Sequence, residues 1–240
     1  LDADRIINLP KLKTHTQMFM TLGVKNIFGC IVGKRKGQWH FSAGMDRLFF
    51  ARMIVELYSA VSPDLTILDG VLGMEGNGPG TGGRPRQCNI LMASPDAVAL
   101  DRVVLEIIGA QPQRVFTNSV AAEYGVGETE LSNIQVVGDS MEECRVEGFE
   151  FPTSDQEMIP LPAFLRNMLT DQLTSKPLED REKCTLCDLC IDVCPTDVIS
   201  IGNKRLAINY DKCIRCYCCV EVCPEGAMEP YTPWLLRLMG

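Results

Sequence analysis

At 240 residues, 46% hydrophobic and 22% charged, the chain has room for one medium domain and one small one, with no need of disulfides to hold a core. A net charge of −8 with no base-reading motif excludes a nucleic-acid binder, and no apolar run approaches the ~20 residues of a membrane span. Twelve cysteines without a visible signal peptide set the expectation of a reducing cytoplasm.

Charge is unevenly spread. Residues 1–52 hold Arg5, Lys11, Lys13, Lys25, Lys34, Arg35, Lys36, Arg47 and Arg52 against Asp2, Asp4 and Asp46, and both histidines, His15 and His40, fall in the same stretch. Lysines interleaved with glycine and histidine in loops favour a small anionic ligand there. The chain opens on Leu1, and Ile6-Ile7-Asn8-Leu9 already reads as a core strand, so the expectation is a piece of a longer protein, truncated at its amino terminus.

In chain order, residues 5–9 form a short strand ended by Pro10, and residues 11–15 follow as a loop or strand end. Residues 33–44 are basic and glycine-rich and read as a surface loop. Asp46 opens a helix that keeps helical spacing through Val61 and closes at Pro63. Residues 65–70 are a buried strand. The next eleven residues, 73–83, contain six glycines, read as irregular backbone that something else approaches closely. Residues 89–93 are a strand, and Ser94-Pro95-Asp96 starts a helix with Ser94 as cap, running to about Ile108. A shorter helix spans 113–124, and 134–137 is a last strand. This alternation predicts an α/β domain with a mixed or parallel sheet over residues 1–147. Residues 148–183 read as a proline-punctuated connector whose Phe164, Leu165, Met168, Leu169 and Leu173 form a docking helix. The tail from Tyr231 is expected to pack on the first domain.

Residues 184–240 carry the strongest signal. Cys184, Cys187, Cys190 and Cys194 precede Pro195, and Cys213, Cys216, Cys219 and Cys223 precede Pro224, so the pattern C-x2-C-x2-C-x3-C-P occurs twice, offset by 29 residues. Bacterial two-cluster ferredoxins use this run, and its fourth cysteine serves the other cluster. The reading is a small α+β ferredoxin-like domain with two 4Fe–4S clusters, one on Cys184, Cys187, Cys190 and Cys223, the other on Cys213, Cys216, Cys219 and Cys194. Zinc knuckles close with four ligands and have no use for a third cysteine two residues on. Cys218, Cys30, Cys88 and Cys144 read as small buried side chains, with Cys30 the best placed of the isolated three for a redox role.

Outside the cysteines, Lys11, Lys13 and His15 fall where ligands sit in open α/β sheets, beyond a strand's carboxyl end. Lys13, His15 and Asp69 are therefore the candidate catalytic set, expected around one pocket. His40 reads as a loop histidine without a role. Asp69 and Glu75 flank the glycine-rich segment and are the better pair among Asp69, Glu75, Asp96 and Asp101 for a hard cation, against the plainer roles of capping and turn formation. The glycines match neither a Walker A loop nor a dinucleotide fingerprint.

Asn8-Leu9-Pro10-Lys11-Leu12-Lys13-Thr14-His15, Gly23-Val24-Lys25-Asn26 with Gly29-Cys30, Asp69-Gly70 with Glu75-Gly76-Asn77-Gly78-Pro79, and Ser94-Pro95-Asp96 with Ala99 and Asp101 together resemble the carboxyl-terminal part of the family catalogued as domain of unknown function 362. The resemblance implies this architecture, with a fused two-cluster ferredoxin module, and leaves the reaction open. Two function classes follow. In one, an oxidoreductase exchanges electrons with a substrate at the α/β domain. In the other, a carrier or assembly factor uses that domain to dock a redox partner protein.

Overall fold

β4 (Leu65–Gly76) is the axis of a five-stranded mixed sheet. β1 (Ile7–Asn8) and β2 (Lys11–His15) lie end to end along one edge of it, both parallel, and β5 (Gly83–Ser94) lies antiparallel along the other. β3 (Phe19–Thr21) closes the sheet antiparallel to β2. The computed structural model describes residues 3–32, 35–152, 175–231 and 233. Pro10, which has no amide hydrogen, separates β1 from β2, and its carbonyl still accepts from Asp69 N at 2.9 Å.

The helices pack on one another and on the sheet. α1 (Gly23–Asn26) is a single turn and α2 (Arg35–Ala43) leads into α3 (Arg47–Val61). Asp46 caps α3 by accepting from Phe49 N at 2.9 Å, and Ser62 ends it at φ 45°. Its Phe50, Ile54, Val55 and Tyr58 recur at helical spacing and face Val98 and Val120. α4 (Ala97–Ile107) lies between two cores: Ala97 and Val98 join that helical core, while Leu100, Val103 and Val104 pack with Leu12, Leu68 and Ile90 of the sheet. α5 (Phe116–Tyr124) completes the layer.

Several expectations change. Residues 11–15 are a sheet strand, and the basic stretch expected as a loop contains α2. The glycine-rich segment is largely regular: β4 runs to Gly76 and β5 starts at Gly83, so only the turn between them is irregular. Glycine is needed inside β4 because the chain passes close to β2; a Cβ on Gly73 would stand 3.1 Å from Leu12 O. Asp96, not Ser94, caps α4, accepting from Val98 N and Ala99 N at 2.8 and 3.2 Å. Residues 134–137 form no strand and follow a 3-10 turn at Leu131–Asn133. The expected docking helix of the connector, and the tail beyond 233, lie outside the described residues.

The second unit is small. β6 (Lys176–Glu179) pairs with β9 (Met228–Tyr231), and β7 (Ile199–Gly202) with β8 (Arg205–Ile208). One-turn helices α6 (Leu189–Asp192) and α7 (Cys218–Val222) contain the third cysteine of each triplet. Val198, Ile199, Leu206, Val220 and Met228 make its core. The turn between β4 and β5 joins the two units. Gly80 lies against the backbone of Val220, 3.4 Å from where its Cβ would be, and Thr81 fills the space that a Cβ on Gly226 would need. What approaches Gly80 is therefore the cysteine-bearing unit itself.

Candidate functional site

The two cysteine loops have the same backbone. Leu186 and Asp188 in the first, and Arg215 and Tyr217 in the second, take positive φ of 56°, 63°, 54° and 60° at equivalent positions. That alternation curls each loop around a void and turns amides inward. Leu186 N–H donates to the Cys184 thiol and Arg215 N–H to the Cys213 thiol. Ala227 N–H donates to Cys223 Sγ at 3.2 Å. One void is lined by Cys184, Cys187, Cys190 and Cys223, the other by Cys213, Cys216, Cys219 and Cys194, so α6 and α7 each carry a cysteine across to the other loop. Among the described residues no three His, Cys, Asp or Glu side chains converge on one point as a single ion would require. The thiols instead ring a space, which suits a group whose several irons each take one thiolate. Burial, with the nearness of the other thiols, pushes Cys190, Cys213 and Cys219 up, and bound iron would supply the charge that deprotonates them.

A cavity of about 1040 Å³ lies between the two units. β2 supplies Lys13 and His15, which share one face because side chains two apart on a strand point the same way. α1 supplies Lys25, and α2 supplies Lys36 and His40. The opposite wall contains Asp192, Cys194 and Pro195 after the first loop, and Cys218 and Glu221 on α7.

His15 is 3% exposed, and its Nδ1 accepts from Gln17 N and Met18 N, each at 3.2 Å. Two donors at Nδ1 leave the proton on Nε2, 3.1 Å from Glu221 Oε1. Burial lowers the His15 pKa, with Lys25 adding to this and Glu221 opposing it, and its Nε2–H links the two units. Burial alone would raise Glu221, but the charges of His15 and Lys25 win and hold it at about 2.

Lys25 is 8% exposed, its ammonium 4.9 Å from the ring centre of Phe28 and 5.8 Å from that of Phe50. Burial lowers its pKa; Glu221 works against this, and Lys13 and Lys36 add to it. Its position is set from behind. Asp101, 2% exposed on α4, accepts from Gly23 N and Val24 N at 2.6 and 3.0 Å. Asn8 donates to Gly23 O at 2.9 Å and accepts from Asn26 Nδ2 at 2.8 Å. Burial pushes Asp101 up to about 7 in spite of its two amide donors. The Lys-Thr-His strand and the Gly-Asn-Gly-Pro turn form one unit: Thr16 N and Oγ1 both donate to Gly78 O at 2.7 Å, and Gly78 N donates to Thr14 Oγ1 at 3.3 Å.

The structure therefore brings Lys13 and His15 together and sets Asp69 apart. Asp69 pairs with Lys11 at 2.7 Å on the exposed sheet surface and does not line the cavity, so the expected convergence of all three is corrected. The alternative of Asp69 with Glu75 as a cation pair also falls away. Glu75 is buried and taken by Arg84 at 3.1 Å and Glu150 N at 3.2 Å. Asp96 and Asp101 are committed to amide groups. Cys30 is exposed and lies outside the cavity lining, Cys88 is buried in the sheet core, and Cys144 packs at its edge. Sequence reasoning missed Lys25 and Glu221 as site residues. The signal for Lys25 was present in Gly-Val-Lys-Asn; Glu221 had none, sitting between two cysteines like any spacer.

His40, expected to be a bystander, is 5% exposed, with its ring centre 4.5 Å from that of Phe50 and 5.5 Å from that of Phe28, and its Nδ1 has no hydrogen-bond partner. Burial holds its pKa at about 4. The unfolded chain takes up this proton as pH falls past about 6.5, whereas the folded one waits until about 4, so the stabilisation is full above the window and lost through it. Over that window stability should fall by about 3 kcal/mol through His40 alone. Urea unfolding of wild type and His40→Phe at pH 7 and 4.5 isolates the effect as a difference; equal slopes in the two proteins would contradict it.

Taken together, the fold and site define an iron–sulfur module of ferredoxin type set against an α/β domain. Residues 1–106 match the family model described as a domain of unknown function (DUF362), and residues 176–224 match the 4Fe-4S dicluster domain. The chain is also similar to the thylakoid-associated protein sll1697 of Synechocystis sp. (strain ATCC 27184 / PCC 6803 / Kazusa), at 49% identity over 129 residues, 54% of this chain and 40% of that relative. The match thus spans well under half the relative's length. No helix among the described residues is long and apolar enough to cross a membrane.

Proposed function

We propose that the chain binds two 4Fe–4S clusters and serves electron exchange between a redox partner protein and a small anionic ligand held in the cavity. The carrying observation is that Cys194 and Cys218 line both the second cysteine void and the cavity, so no further layer of protein separates the two spaces. When bound, the clusters supply one-electron transfer. The chain's own residues hold and orient: the eight cysteines bind iron, Lys13 offers charge, and His15 holds a proton at Nε2 on the cavity wall. Asp69 has no part in this reading. A carrier that only docks a partner would leave the buried lysine and two buried histidines of the cavity unexplained. The proposed setting is the cytoplasm; the relative's name puts that relative at thylakoids, and a membrane-associated partner is compatible with both.

Anaerobically reconstituted protein should hold about eight irons and about eight sulfides per chain and give a spin-coupled resonance on reduction. Zinc at about two per chain with no visible absorption would sink the proposal.

A further inference from the structure

The cavity has charge-segregated walls. Its cations, Lys13, Lys25 and Lys36, come from the α/β domain, and its carboxylates, Asp192, Asp197 and Glu221, from the cysteine-bearing unit. Only Lys25 among the cations is largely buried, and no described carboxylate forms an ion pair with it. Glu221, the carboxylate that acts on it most, already faces His15. A buried ammonium in the company of two others is costly unless an anion joins it. His40 Nδ1, unpartnered and buried beside the same aromatic rings, is a further polar atom on this wall without a protein partner. A second acid group would meet the carboxylates opposite, so the ligand carries one acid group only.

Size decides the rest. A space of about 1040 Å³ is at the upper end of the ~300–1,000 Å³ typical of pockets for drug-sized molecules, far beyond a bare oxyanion. Phe28, Phe41, Pro79, Leu189, Val193 and Val222 give it apolar lining. We infer that the cavity takes an organic acid with an apolar body, its single carboxylate or phosphate group anchored on Lys25 and its body directed toward the wall of Cys194 and Cys218. This rests on the reading of the cavity as the ligand site of an electron-transfer protein and adds the ligand's class and its orientation.

The test is calorimetric titration of the cluster-loaded protein without oxygen, using acetate, inorganic phosphate, 4-phenylbutyrate, phenyl phosphate and the neutral 4-phenylbutyramide. One of the two aryl acids should bind at least about tenfold more tightly than either bare ion, since each buried methylene adds roughly fourfold. Which aryl acid wins tells carboxylate from phosphate. The amide should bind at least about tenfold more weakly than its acid, the order expected for a lost charge-assisted contact. Lys25→Met should bring the acid down to the amide's level and leave the amide unchanged, and Lys11→Met, which changes a pair outside the cavity, should leave both as in wild type. Bare ions binding as well as aryl acids, an amide equal to its acid, an unaffected Lys25→Met, or no binding to wild type would each overturn the inference. If Lys25→Met does not fold, the acid-against-amide comparison on wild type decides alone. Iron and sulfide counts on the same samples separate the two readings: failure with full clusters removes the ligand class and leaves electron transfer standing, whereas wild type without clusters removes the electron-transfer reading itself.

Discussion

Cys194→Ser should cost the protein the cluster of Cys213, Cys216 and Cys219 and leave that of its own sequence neighbours. Cys194 follows Cys190 by four residues, yet it lines the void of the second loop, while Cys223 lines that of the first. The cause is geometric. Each triplet bends around its own void through two left-handed residues, and the one-turn helix that holds its third cysteine carries the chain away from that void before proline stops it. Serine is a poor substitute for a thiolate on iron, so bound iron should fall by about half, and the spin-coupled resonance should collapse to that of one isolated centre. Cys223→Ser is the mirror experiment and should remove the other half. Iron counting with resonance spectroscopy on both variants is decisive; a Cys194→Ser protein that keeps the second centre and loses the first would refute the crossed arrangement.

Asp101→Ala should destabilise the α/β domain by about 3 kcal/mol. Its carboxylate serves two buried amides at the start of α1, and alanine leaves both without an acceptor in a place water does not reach. Asp101→Asn should fare little better, because an amide offers one oxygen and sets its NH2 group against a remaining N–H donor. Gly23 is fixed to this role by space: a Cβ there would stand 3.0 Å from both Ala97 Cβ and Asp101 Oδ1. Urea midpoints with unchanged slopes measure the effect, and a loss under about 0.5 kcal/mol, the usual range for a surface change, would show that the network is incidental. Since α1 carries Lys25 into the cavity, the same variant should also weaken acid binding.

How much was legible from sequence follows from the range of each interaction. The α3 helix was readable because its cap, apolar spacing and closing proline all lie within one stretch. α4 was readable as a helix but not in its cap, since Ser94 and Asp96 both suit the position and only the backbone conformation chooses Asp96. The strand at 11–15 was obscured by two lysines: Lys13 lines the cavity and Lys11 pairs with Asp69 on the sheet surface, while Leu12 and Thr14 are buried opposite. α2 was hidden by glycine and charge; it is held in place by Phe28 packing against Trp39 and His40 rather than by helical propensity. Asp69 was misjudged because a carboxylate before glycine at a strand looks alike whether it faces a pocket or a neighbouring lysine.

The cysteine spacing by itself determined the ligand type and the loop that presents it, because three thiolates within seven residues are positioned by local backbone alone. The composition of the cavity was decided only by the tertiary structure. Lys25, His40 and Glu221 are remote in sequence and belong to elements whose meeting depends on a glycine turn fitting against α7, and on Asp101, 76 positions beyond Lys25, holding a four-residue helix in place. Local propensity carries no record of which distant surfaces will be pressed together; packing and the satisfaction of buried polar groups make that choice.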